Sequence, residues 1–228
     1  MNEETREFLK NARAFLLDEK PNEEKAFLQY GEIMKRSVTC PEAMWFIGYF
    51  LAKRDYAKIA DAPNDLTIYA EYKAFLSLAE DSFGERFYEM LESIMSDSDV
   101  DDEDKMRLVM NMTLCYNKLV MSIFKWERDQ EIAIEYLRPV GYKILEICGN
   151  DRFYTIVAAG IWKNVIYMRH CYCAYRNFRD KNKVTWYDKM IKDIQKYDPE
   201  YAAPQFKQAG CLMFGESAKE ATKVSPGE

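Results

Sequence analysis

Apolar residues recur every three or four positions along most of the chain. In the first such stretch they stand at Phe8, Ala12, Phe15 and Leu16, which is the spacing of one face of an α-helix. Similar stripes predict later helices over about 103–126, 129–148, 152–177, 184–197 and 204–214. No stretch alternates between apolar and polar residues for long enough to predict a sheet, so we expect an all-α protein.

Local sequence signals mark where two early helices begin. Asn22 precedes an apolar stripe and can cap a helix through its side chain,. The segment "TCPE" places Thr39 before Pro41 and puts Glu42 three residues after the threonine. This spacing is typical of a capping box, in which both side chains bond to backbone N–H groups of the first turn.

Turn-forming residues are scarce, with 9 Gly and 7 Pro in 228 residues. Few chain reversals per residue favour long helices. Pro139, followed by Gly141, is expected to kink or split the helix over 129–148, since proline removes an N–H donor. Gly149 suits the left-handed position that follows a helix end.

Two junctions resemble those between tetratricopeptide-type (TPR) repeats, one over 33–58 and one over 194–206. The first carries Pro41, Trp45 and Gly48. The residues that match in the second are Asp198, Pro199, Glu200 and Ala202. The resemblance implies antiparallel helix hairpins stacked as an irregular, TPR-like right-handed superhelix. A non-repeat helical bundle is the alternative.

The pattern predicts one all-α helical-hairpin domain over 1–215. The remaining residues, 216–228, show no apolar periodicity, so we expect a disordered tail there,.

Charge and cysteine content narrow the class of protein. The net charge of −6 disfavours a general binder of nucleic acids or anionic membranes,. The first residues are polar and acidic, which predicts no signal peptide, and no apolar run reaches the roughly 18 residues of a membrane span. Six cysteines without a secretory signal indicate reduced thiols, so we expect a cytoplasmic protein with no membrane association,.

The segment "HCYC" raises the question of a metal or catalytic site, because it contains the only histidine, His170. Cys171 and Cys173 lie about 200° apart on a helix, so they cannot both face one ion. His170 and Cys173 share a face but lack two further ligands at short spacing. We therefore predict packing here, and no metal, cofactor or catalytic residue.

An acidic segment over 97–104 has alternating aspartates, as in an EF-hand loop. Position 6 of that loop is Asp102 instead of glycine, however, and position 12 is Leu108 instead of glutamate,. We expect these acidic side chains to complement the positive N-terminus of the next helix. Weak binding of divalent cations is the alternative.

The segment 151–197 is basic and aromatic, with ten Lys/Arg against four Asp/Glu. The rest of the chain then carries a net charge of −12. Five residues near one stripe of its long helix predict a partner-binding face: Tyr154, Trp162, Arg169, Tyr172 and Arg176. Such a face suits an acidic or phosphorylated peptide. The alternative is that the aromatic rings pack against the next hairpin while the arginines pair with acidic side chains.

These observations predict a non-enzymatic scaffold or adaptor that binds a protein or peptide, with an acidic partner favoured by segment 151–197. One alternative is a helical enzyme or small-ligand binder with a Tyr/Trp-rich pocket in the C-terminal half and His170 as acid or base. Another is nucleic-acid binding through 151–197, which the net charge of −12 elsewhere disfavours.

Overall fold

The structure is a computed structural model that describes residues 1–36, 39–60, 84–123, 130–176 and 185–202. Side chains are described throughout these ranges except at 55–60, 121–123, 130–132, 168–176 and 185–187.

Eight helices account for most of the described residues, and no strand occurs among them. They are α1 (Glu3–Leu17), α2 (Glu23–Lys35), α3 (Pro41–Ala60), α4 (84–96), α5 (Asp102–Ile123), α6 (Gln130–Cys148), α7 (Arg152–Arg176) and α8 (Thr185–Gln195). The all-α prediction is confirmed for this part of the chain. None of the described helices is both long enough and apolar enough to cross a membrane.

Asparagine and aspartate side chains begin several of these helices. Asn2 accepts a hydrogen bond from the Thr5 N–H at 2.9 Å, and Asn22 accepts one from the Lys25 N–H at 3.0 Å. Each bond satisfies an N–H group that has no partner within the helix. The predicted cap at Asn22 is confirmed.

The junction between α6 and α7 is short because two residues shape it. Gly149 has a φ of 95°, the left-handed conformation that the sequence predicts at this helix end,. Asp151 then accepts hydrogen bonds from the N–H groups of Phe153 and Tyr154, at 2.8 and 3.0 Å. One helix therefore ends and the next begins within a few residues.

Helix α6 is not split at Pro139, contrary to one form of the prediction. The proline lies on an exposed side of the helix. The carbonyl that loses its N–H donor belongs to Glu135, which is also exposed,. Water can therefore replace the lost hydrogen bond, and the helix continues to Cys148.

The chain divides into two compact units, which we describe separately. The first unit contains Met1–Leu119 with Glu146–Gly149, and the second contains Val120–Leu145 with Asn150–Glu228. A continuous stack of hairpins can also divide in this way, so the single domain over 1–215 stays a prediction. The tail over 216–228 and the helix over 204–214 lie outside the described residues.

Consecutive helices pack against each other in both units. In the first unit α1 packs on α2 and α2 packs on α3; in the second unit α7 packs on α8. Aromatic rings fill the core of the first unit. Trp45 lies 5.2 Å from Phe87, and Phe87 lies 4.7 Å from Tyr116, between ring centroids. Such pairs add packing energy beyond the apolar area they bury.

Candidate functional site

The predicted partner-binding stripe on α7 begins with two buried residues. Tyr154 and Trp162 expose only 3% and 1% of their surface. By helical register, positions 169, 172 and 176 lie on the same side of α7 as these two rings. The side chains of Arg169, Tyr172 and Arg176 lie outside the described part, and the five-residue binding face stays a prediction.

Trp162 packs closely against helix α6. Its ring centroid lies 4.7 Å from that of Tyr142. A Cβ atom added to Gly141 would lie 2.3 Å from the indole Nε1, far inside van der Waals contact. Trp162 therefore occupies space that only a glycine at position 141 leaves open.

The opposite side of α7 presents apolar side chains to solvent. Ile156 is 58% exposed, and Arg152 and Gly160 are exposed beside it. Phe153 and Val157 are half-buried on the same side. We call these five residues the outer face of α7. A Cβ added to Gly160 would meet no atom within 4 Å, so the glycine leaves a shallow recess next to Ile156.

The segment after α8 contacts α7 at the edge of this outer face. Asp198 Oδ2 lies 2.8 Å from Lys163 Nζ. The same ammonium group lies 5.3 Å from the centre of the Tyr201 ring, a distance that allows cation–π attraction. Asp198 and Tyr201, which follow α8, therefore both contact α7 at Lys163.

A polar cluster joins α6 to α8 in the second unit. The Tyr142 hydroxyl donates to Asp193 Oδ2 at 3.1 Å, and Lys189 and Lys196 each lie 2.7 Å from an Asp193 oxygen. Burial raises the pKa of Asp193, but the two lysines and Tyr142 outweigh it and hold the pKa below its ordinary value,. The negative charge of Asp193 is therefore compensated inside the chain.

A buried ionic cluster occupies the first unit. Arg13 Nε lies 3.0 Å from Glu42 Oε2, while Arg13 Nη2 bonds to Glu42 Oε1. Arg13 Nη1 also reaches Asp97 Oδ2 at 2.8 Å, and the Tyr30 hydroxyl donates to Glu42 Oε2 at 3.3 Å. These contacts tie together α1, α2, α3 and the residue that follows α4.

Burial and neighbouring charges shift the pKa values in this cluster. Burial alone would lower the pKa of Arg13, but Glu42 and Asp97 raise it above its ordinary value. Burial, and then the charge of Glu42, raise the pKa of Tyr30. Both shifts favour a protonated Arg13 and a protonated Tyr30 at neutral pH. The cluster therefore has the character of a structural ion pair built around a protonated guanidinium.

The predicted capping box at Thr39 and Glu42 is wrong. Glu42 is fully buried and accepts hydrogen bonds from Arg13 and Tyr30. Helix α3 begins instead beside Cys40, whose carbonyl accepts the Met44 N–H at 2.9 Å. The tertiary contact with Arg13 outweighs the local capping bond because an unpaired arginine in the interior costs more than an unpaired N–H at a helix end.

A second polar cluster in the same unit surrounds the buried Tyr49. Its hydroxyl donates to Glu23 Oε2 at 3.0 Å, and Lys53 Nζ lies 2.7 Å from the same oxygen. Cys115 contacts the Tyr49 hydroxyl, and burial raises the pKa of this thiol to about 11. Cys115 is therefore a thiol at neutral pH, with little nucleophilic character.

Two aspartates of the acidic segment over 97–104 make hydrogen bonds and an ion pair within the chain. Asp97 pairs with Arg13 and also accepts the Asp99 N–H at 2.9 Å. Asp101 accepts the Asp104 N–H at 2.8 Å and so caps α5, as the sequence predicts,. Within the described ranges no cluster of three His, Cys, Asp or Glu residues could hold a metal ion. The side chains of His170, Cys171 and Cys173 lie outside those described.

The sequence pattern did not single out Arg13 or Ile156, and it assigned Glu42 to a helix cap instead of a buried ion pair. Arg13 offered one signal, because it adjoins Ala12 and precedes Leu16 on the apolar stripe of α1. Comparison with known proteins adds no assignment: no family model, no curated protein and no solved structure matches the chain.

Proposed function

We propose that this chain is a non-enzymatic scaffold that binds a protein or peptide partner on the outer face of α7. The observation that carries the proposal is the exposure of Ile156, at 58%, beside the open recess of Gly160. An isoleucine next to a glycine one helical turn away suits an incoming helix, whose side chain can occupy the recess while Ile156 packs against its flank. Helix-to-groove binding of this kind uses apolar contacts spaced along one face.

The chemistry around this face favours an acidic partner. Arg152 lies at its N-terminal end, and Lys163 lies two turns after Ile156, at its C-terminal end,. Lys163 already pairs with Asp198 at the surface, and both side chains are about 40% exposed. Such an exposed pair contributes little and can exchange its partner at small cost. The excess of basic residues over 151–197 adds a longer-range attraction for acidic segments.

The arrangement of the helices supports the same proposal. Consecutive packed helices are the architecture of TPR-like and other helical-repeat scaffolds, which bind partners on exposed helix faces. In this proposal the helices form an irregular TPR-like superhelix. The thiols of Cys40 and Cys115 suit a reducing compartment such as the cytoplasm,.

The proposal is tested by partner capture with a matched pair of variants. The full chain, tagged and kept reduced, is used to enrich partners from cell extract, and the enriched proteins are quantified by mass spectrometry. We expect Ile156→Asp to lose a partner by tenfold or more, because a carboxylate replaces the apolar contact and repels an acidic chain. The control Leu114→Asp makes the same kind of change at a residue of α5 that is 45% exposed.

Two results would count against the proposal. If Ile156→Asp retains every partner of the wild-type chain, then the outer face of α7 is not the binding surface. If the wild-type chain enriches nothing above the tag alone, then the scaffold function itself loses support. A photo-crosslinking residue at position 156, which should label the partner directly, separates contact at this face from indirect effects.

A further inference from the structure

Three exposed residues and one half-buried glycine form a stripe along helix α2. The stripe consists of Glu24, Leu28, Gly31 and Lys35, which fall within an arc of about 60° at 100° per residue,. This arc lies opposite the buried residues Ala26, Tyr30 and Ile33. We call these four residues the α2 stripe.

The two central residues of the α2 stripe form a projection and a recess. Leu28 is 63% exposed, the highest value among the exposed large apolar residues of the described chain. A Cβ atom added to Gly31 would meet nothing within 4 Å, so this position is open. A glycine allows a second helix to approach closely, and a neighbouring leucine supplies the side chain that fills the gap.

The two outer residues carry opposite charges. Glu24 is exposed, and the Lys35 side chain is 72% exposed. Lys35 contacts Glu32 on its own helix at 2.6 Å, but a pair this exposed contributes little to stability. Lys35 is therefore able to turn toward a second acidic group.

The spacing of the stripe makes it symmetric. Its centre is the midpoint between residues 29 and 30. Glu24 and Lys35 lie at equal spacings on either side of this midpoint, and so do Leu28 and Gly31. Two α2 helices that pack antiparallel about a twofold axis at this point would place Glu24 opposite Lys35 of the second copy. Leu28 would lie opposite Gly31 of the second copy. Both contacts then occur twice, as twofold symmetry requires.

We infer that the α2 stripe is a homodimerisation surface, and that its occupant is the same stripe of a second copy of this chain. The charge complementarity favours this occupant, since a parallel pair would instead place Glu24 against Glu24 and Lys35 against Lys35. One pair of short helices buries less area than a standard protein interface, so the dimer is weak and depends on concentration.

Charge-swap variants of the full chain test the inference by sedimentation equilibrium in reducing buffer. We expect the wild-type mass to rise with concentration from 26.9 kDa toward twice that value. Glu24→Lys and Lys35→Glu should each weaken self-association by about tenfold or more, because each turns two attractive pairs into repulsive ones. An equimolar mixture of the two variants should dimerise again, since every charge then faces its opposite.

Two further variants separate the stripe from general surface charge. Glu7→Lys and Lys10→Glu change exposed residues of α1, and both should dimerise like the wild-type chain. Gly31→Leu should abolish dimerisation by filling the recess, while circular dichroism shows that the helices are retained. A wild-type chain that stays monomeric at high concentration would overturn the inference. So would Glu24→Lys and Lys35→Glu variants that dimerise normally, or a mixture of the two that does not associate.

Discussion

The guanidinium of Arg13 donates to both carboxylate oxygens of Glu42, and both side chains are buried, at 7% and 0% exposure. Two parallel N–H···O bonds of this kind match the planar shapes of the two groups. The pair joins α1 to α3, and Asp97 and Tyr30 extend it to the end of α4 and to α2. Because each charge would be costly alone in the interior, the four residues depend on one another.

Breaking this pair from either side should destabilise the protein. We expect Arg13→Met to lower the free energy of unfolding by about 3–5 kcal/mol, since it leaves Glu42 buried without a counter-charge. Glu42→Gln should lower it by less, because Arg13 then keeps only its contact with Asp97. The double variant Arg13→Met/Glu42→Leu should recover most of the loss, because no buried charge of this pair remains. Urea unfolding followed by circular dichroism measures all three variants.

The control for this prediction is the exposed pair of Arg36 and Glu4, in which Glu4 is 61% exposed. Glu4→Gln should leave the urea midpoint close to that of the wild-type chain, because so exposed a pair contributes little. A Glu42→Gln variant that unfolds at the wild-type urea concentration would show that the buried pair does not carry the stability assigned to it.

Lowering the pH should destabilise the same cluster, because Asp97 then becomes protonated. Burial acts to raise the pKa of this carboxyl, but the N–H of Asp99 and the guanidinium of Arg13 outweigh it and hold the pKa below its ordinary value. A lowered pKa in the folded state means that ionised Asp97 stabilises the fold above the ordinary value of about 3.9. That stabilisation is lost as the pH falls from about 3.9 through the lower pKa that Asp97 has in the folded state.

The variant Asp97→Asn separates this residue from other acidic groups. At pH 7 it should be less stable than the wild-type chain, and the difference should shrink as the pH falls below about 4, where Asp97 takes up a proton in the unfolded chain before it does so in the folded chain. Urea midpoints for both proteins, taken from pH 7 down to pH 3, measure the effect. A difference in stability that stays constant over this range would contradict the assignment to the charge of Asp97.

The elements that could be predicted from sequence are those that local signals determine. Asn22 caps α2 and Gly149 ends α6 with a positive φ as expected, because both act within a few residues of their own position. Glu42 shows where this logic fails. Its local spacing favours a capping box, yet its partner Arg13 is 29 residues away in sequence. No local pattern records that pairing.

The orientation of α7 was harder to predict, because both sides of the helix carry aromatic and apolar residues. The stripe that the sequence predicts is aromatic and cationic, and its members Tyr154 and Trp162 are buried. The close contact between Trp162 and Gly141 joins two helices, so nothing in either helix alone indicates it. Nothing in the sequence distinguishes Ile156, since a single isoleucine in an apolar helix is ordinary.

The thiol of Cys115 should react slowly in the folded protein. Its pKa of about 11 leaves about 0.1% thiolate at pH 8, against about a quarter for a thiol of ordinary pKa near 8.5. The greater nucleophilicity of a more basic thiolate recovers about a factor of ten, so exchange should be about twentyfold slower than in the unfolded chain. Burial of the sulfur slows it further.

Modification by a small methanethiosulfonate, read by mass spectrometry of the Cys115 peptide, measures this rate with and without urea. The same experiment reports on Cys40, which is 4% exposed and whose pKa burial also raises. Both sites should be protected in the folded chain. Equal rates for Cys115 in the folded and unfolded chain at pH 8 would show that the sulfur is not buried and that the pKa of the thiol is not raised.

The contact between Gly141 and Trp162 makes position 141 unusually sensitive to a single methyl group. Alanine is normally better than glycine within a helix by about 0.5–1 kcal/mol. At position 141, however, the new Cβ would lie 2.3 Å from the indole Nε1 of Trp162. The helices must then separate or the ring must move, so we expect Gly141→Ala to destabilise the protein by about 1–3 kcal/mol.

Gly48 in α3 provides the matched control, because a Cβ there meets nothing within 4 Å. Gly48→Ala should therefore stabilise the protein by about 0.5–1 kcal/mol. In a Trp162→Leu background the smaller side chain leaves room, and Gly141→Ala should no longer destabilise. A double-mutant cycle by urea unfolding gives this interaction energy. Gly141→Ala and Gly48→Ala variants that are equally stabilised would mean that Trp162 does not occupy the space beside Gly141.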